Sequence, residues 1–109
     1  MAFNIDTTIK NMLGAAKNEI KAGWTEVKET AESFFDKRKK RLKKLADKRL
    51  LGEIDDEEFK SFLEDEEMLF KDELLAFAVI SKAVAQKAAN AALDVLFNTI
   101  KGLLPVPGK

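Results

Sequence analysis

The sequence contains no cysteine, no histidine and no tyrosine. Without cysteine there are no disulfides, thiolate zinc sites or cysteine nucleophiles. Without histidine the commonest general base and metal ligand is missing, and with it the usual catalytic triads. Five glycines and two prolines in 109 residues are too few for a loop-rich or many-turned β fold. The longest uncharged run in the apolar C-terminal half, Leu74–Ser81, is far shorter than the roughly 20 residues that cross a bilayer. Asp6, Lys10, Lys17 and Glu19 interrupt any signal-peptide core, so the expected location is the cytoplasm, or a larger particle packaged from it. What remains is 46% hydrophobic and 35% charged, the balance of one globular domain over residues 1–109.

Nineteen basic and nineteen acidic residues cancel, yet they are segregated along the chain. Residues 37–50 hold nine Lys or Arg and one acid, Asp47. Residues 51–75 hold eleven acids against Lys60 and Lys71.

Apolar residues recur at steps of three and four from Ile5 through Ile9, Met12, Ala16, Ile20, Trp24, Val27, Ala31 and Phe34, then Leu42 and Leu45. This spacing predicts one helical face over about 6–51, with a break allowed near 36–40, where the stripe lapses and Arg38 occupies it. Asp6, Thr7 and Thr8 form the expected N-cap region, and Gly52 is placed to close the helix in a left-handed conformation. Asp55 and Glu58 have capping-box spacing, and Ile54 and Phe59 that of a hydrophobic staple. They open a second helix over about 55–102, whose stripe continues through Phe62, Leu63, Leu69, Phe70, Leu74, Phe77, Ile80, Val84, Ala88, Ala91, Val95 and Ile100. The fold class is therefore all-α: a long antiparallel helical hairpin, roughly 65–70 Å long if straight. Residues 1–5 and 103–109 are expected as flexible or docking tails.

The turn region, Leu42-x-x-Leu45-Ala46 followed by Gly52-x-Ile54-x-x-Glu57-Glu58-Phe59, resembles the SHOCT (short C-terminal) motif over residues 42–63. That motif is a small helix–turn–helix, and the resemblance implies a helical, oligomerising element. The family's lysine- and leucine-rich finish is replaced here by Leu63-Glu64-Asp65-Glu66-Glu67, and the segment is central in the chain.

Folding at Gly52 lays the two charge blocks side by side. It predicts a charge zipper of Lys37, Arg41, Lys43 and Lys48 with Glu58, Glu64 and Glu66. The pairs are Lys48 with Glu58, Lys43 with Glu64 and Arg41 with Glu66, while Lys37 lies level with Phe70. The same register sets Gly14–Ala16 against Ala91–Leu93, small residues against small.

Residues 74–104 carry only Lys82, Lys87, Asp94 and Lys101 as charges, and an apolar arc this wide needs more than one neighbour. Two helices alone enclose too small a core, so the hairpin is expected to oligomerise into a helical bundle, coiled-coil-like, as a dimer or higher. Phe77, Ile80, Val84, Ala88, Ala91, Val95 and Leu96 are its expected interface, and Val84→Asp or Ala88→Glu should dissolve the assembly. No catalytic, cofactor or metal residues stand out: the acids near the turn serve capping, and carboxylate metal sites of the ferritin kind need histidine. The expected function is a non-catalytic structural or scaffolding protein that self-associates through its alanine-rich face, as a small component of a larger assembly. The alternatives are a membrane-surface or lipid-associated helical protein using the same face, and a nucleic-acid binder using the basic run 37–49.

Overall fold

The computed structural model describes residues 3–105. Four α-helices follow in order: α1 (Ile5–Ile20), α2 (Trp24–Leu50), α3 (Asp56–Leu75) and α4 (Lys82–Leu103). A single 3-10 turn, Lys21–Gly23, joins α1 to α2. The all-α class and the hairpin about Gly52 are as the sequence reads. The arms, however, do not run straight. Each folds back on itself, and the longest dimension is 47 Å.

The first arm bends at residues 21–23. Residues 36–40, where a break was allowed, lie inside the unbroken α2. The stripe does not lapse there in space, because Phe35 is fully buried and Arg38 reaches an internal partner. At the true bend Lys21 has φ 61° and ψ −122°, a conformation that side chains rarely adopt and that costs of order 1–3 kcal/mol. Gly23 follows beneath the second bend: a Cβ there would lie 3.3 Å from Ile80 Cδ1 and 3.6 Å from Val79 Cγ2. Close approach of the two bends accounts for this glycine. Gly14 needs no such account, since a Cβ there would meet open space, and the expected close contact at Gly14 is not made.

The second arm bends at residues 76–81, between α3 and α4, so the continuous helix expected over 55–102 is two helices. Ile80 N–H bonds to the Phe77 carbonyl in a turn, and the Ser81 hydroxyl caps α4 by accepting from Val84 N–H at 3.1 Å. α1 is capped by Asn4, whose Oδ1 accepts from Thr7 N–H at 3.0 Å, rather than by Asp6. Ile5 and Leu103 belong to helices rather than tails. Phe3 packs against the core and Asn4 caps α1, so residues 3–5 are not a loose tail, and residues 1–2 and 106–109 lie outside the described residues.

At the opposite end the chain turns as the sequence predicts. Gly52 has φ 77°. Glu58 N–H donates to Asp55 Oδ1 at 2.8 Å, and Asp55 N–H donates to Glu58 Oε1 at 3.0 Å, completing the capping box. Phe59 is buried, Ile54 is half-buried, and both join the core.

The result is an up-down-up-down four-helix bundle within one chain. α1 packs most extensively on α4, α4 on α3, α3 on α2 and α2 on α1, closing the ring. The bends at 21–23 and 76–81 meet at one end, and Phe3, Leu50 and Leu103 meet at the other. Ala16, Ala85, Ala88, Ala89 and Ala92 are fully buried, which lets α4 sit close to its neighbours. Phe35, Phe59, Phe70, Met12, Leu42, Leu74, Leu93, Leu96 and Ile100 fill the rest of the core. The wide apolar arc of residues 74–104 does have more than one neighbour, and those neighbours are helices of the same chain.

Candidate interaction surface

Within the core between α2 and α3 lies one charged side chain. Glu66 is 1% exposed, and Arg38 holds it bidentately, Nε on Oε1 and Nη2 on Oε2 at 2.7 Å. Arg41 Nε adds a third bond to Oε2 at 3.1 Å. This fork-on-fork geometry is the strong form of a charged hydrogen bond. The Glu66 carboxylate holds Arg38 above its ordinary pKa, chiefly through the hydrogen bond and despite opposing desolvation. The guanidinium also lies 6.0 Å from the Phe34 ring centroid. Beside it Phe34, Phe35 and Phe70 form a three-ring cluster, with centroids 4.7–5.1 Å apart.

Of the expected zipper, only Arg41 and Glu66 are paired. Lys43 pairs along its own helix with Asp47 rather than with Glu64. Lys48 has no ion pair among the described residues, and Glu58 is committed to the cap. Lys37 lies beside Leu69, close to the level expected. The other pairs that link elements are Arg38–Glu66, Lys39–Asp6 between α2 and α1, and Arg49–Asp56 across the turn. Arg38 was legible as the residue on the lapsed stripe. Nothing in the run Glu64–Glu67 marks Glu66 as its partner, and the expected register sets Glu66 level with Arg41 instead.

The expected interface residues divide. Ile80, Ala88 and Leu96 are buried inside the chain, whereas Phe77, Val84, Ala91 and Val95 are half-buried. The large apolar residues that face outward lie elsewhere: Leu51, Phe62, Met68, Leu69, Leu75 and Val79, at 36–73% exposure. Four of the six are on α3 and the other two flank it. Between α2 and α3 runs an open groove of about 510 Å³, with Phe34 and Leu69 on its floor and Lys37, Arg38, Glu29 and Glu73 on its walls.

The opposite side of α3 faces α4 across a smaller cleft of about 240 Å³, lined by Lys60, Glu67, Asp94 and Phe97. Burial, together with the carboxylates of Asp94 and Glu64 and against the pull of Lys60, raises the Glu67 carboxyl from 4.5 to about 7. A carboxyl whose folded pKa lies above its unfolded one favours folding fully below pH 4.5 and loses that contribution as the pH climbs to about 7. Glu67→Gln is expected to stabilise the protein above neutral pH by about 1 kcal/mol, allowing for screening of a half-exposed group. At acid pH it should leave stability unchanged. Urea midpoints of parent and variant at the two pH values check this, and an equal shift at both would refute it.

Among the described residues, no helix is long and apolar enough to cross a membrane. No protein-family model, curated protein or solved structure matches the chain.

Proposed function

We propose that the protein is a non-catalytic structural protein that works by associating with copies of itself, and that α3 supplies the contact. The observation that carries this reading is the placement of the six large exposed apolar residues, all within 51–79. Single exposed hydrophobics scattered over a surface are ordinary. Six gathered on one helix and its two flanks suggest a contact surface. The setting favours protein over lipid as the occupant. Phe62, Met68, Leu69 and Leu75 are interspersed with Glu64, Asp65, Asp72 and Glu73, which an anionic membrane would repel. The alanine-rich face of α4, the contact expected from sequence, is largely used inside the bundle and supports this reading only at its half-buried edge.

Sedimentation equilibrium of the full chain tests the proposal. The parent is expected at a multiple of 12.2 kDa. The combined variant Phe62→Ser, Met68→Ser, Leu69→Ser should run as a monomer with unchanged helicity, because all three side chains are exposed. A parent that stays monomeric at every concentration sinks the proposal, and so does a triple variant that keeps the parent's mass.

A further inference from the structure

We infer that two copies pair face to face through their α2/α3 layers, about a two-fold axis parallel to the helices, so that α2 of each copy lies over α3 of the other. This rests on the self-association proposed above and names the surfaces that meet.

Three observations carry it. First, the groove between α2 and α3 is open, and within its largely polar lining Leu69 stands 43% exposed beside Phe34, so the layer presents an uncovered apolar side chain at its seam. Second, at the level of Arg38–Glu66 and toward Gly52 the charges beside that seam are sorted by helix, whereas farther from Gly52 the acids Glu26 and Glu29 stand on α2. Lys37, Lys40 and Lys44 recur along one exposed face of α2, and Asp65, Asp72 and Glu73 are exposed on α3; none of the six has an ion pair among the described residues. The cations that could have cancelled the acids, Arg38 and Arg41, are drawn inward to Glu66.

Third, symmetry then selects the arrangement. A two-fold axis along the seam keeps every residue at its own height and exchanges left for right, so the basic second half of α2 covers the acidic stretch of α3 level with it, twice over. A two-fold axis in the same plane but across the helices would set α3 on α3, acid on acid along its length. The heights are fixed by the pairs Arg38–Glu66 and Arg49–Asp56. They bring Lys40 of one copy level with Asp65 of the other, and Phe62 and Leu69 into the shared seam. An isologous contact of this kind closes at a dimer. Exposed ion pairs are individually weak and are screened by salt, so the dimer is expected to loosen as salt is raised.

The test is a pair of charge reversals at exposed positions outside the core. One variant carries Lys40→Glu and Lys44→Glu, the other Asp65→Lys. Each alone sets like charges together in this dimer, and should run at half the parent's mass at low salt. Mixed in equal amounts they should recover the dimer, because each reversed helix then meets its complement. That recovery also shows that both variants are folded. If the parent is a dimer but Lys40→Glu, Lys44→Glu keeps its mass, this pairing is wrong while self-association stands. A mixture that stays monomeric overturns it equally, provided circular dichroism shows both variants helical. A parent that is monomeric throughout removes this inference and the proposed function together.

Discussion

Replacing Arg38 with leucine is expected to lower the unfolding free energy by about 3–5 kcal/mol, the usual cost of stranding one member of a buried ion pair. Arg38 supplies two of the three hydrogen bonds to Glu66, and the carboxylate is 1% exposed, so water cannot take the arginine's place. Arg41 alone would remain, through one bond. The reverse change should cost much less. In Glu66→Leu the two guanidinium groups left behind are 30% and 50% exposed and can turn to solvent. The double variant Arg38→Leu, Glu66→Leu should regain most of the loss, since it replaces a charged pair by apolar groups beside Phe34, Phe35 and Phe70. Urea unfolding of the four proteins, with unchanged denaturant slopes, gives the coupling energy directly. Additive losses in the double variant would mean that the ion pair is not what orders this part of the core.

Ala88→Glu is expected to abolish the folded bundle rather than to dissociate an assembly of intact chains. Read from sequence, Ala88 belongs to an outward apolar face. In the structure it is completely buried on α4, among Ala85, Ala89 and Ala92, in a close-packed layer with no room for a longer side chain. A carboxylate there gains neither water nor a cation. The combined cost of overpacking and an unpaired buried charge is about 4 kcal/mol or more, against the roughly 5–15 kcal/mol that holds a typical domain together. Val84→Asp, at a half-buried position, should cost about 1–2 kcal/mol and leave the protein folded. Far-UV circular dichroism with thermal melts separates the two variants. Full helicity and a parent-like melting temperature for Ala88→Glu would show that α4 does not pack as described.

The helical class, the central turn and the residues that build it are legible along the chain alone. Gly52, the Asp55–Glu58 capping box and the Ile54–Phe59 staple are local devices, fixed by neighbours at most a few residues away, and local spacing is what a sequence displays. The two further bends arise from packing between distant segments. The apolar stripe passes through both without losing step, from Ile20 to Trp24 and from Leu74 through Phe77 and Ile80 to Val84, so its period cannot tell a straight helix from one folded back. What decides is contact between distant segments: Gly23 beneath Val79 and Ile80, Asp6 against Lys39, and α1 along α4. Folding back satisfies in one chain the apolar arc that the straight hairpin would have left to a partner. The interaction surface moved for the same reason. Once α4 is enclosed, the large apolar residues left outside are those of α3, and Glu66 is set apart from Glu64 and Glu67 only because Arg38 stands opposite it. Burial and charge pairing depend on which helices become neighbours, and periodicity along one helix does not record that.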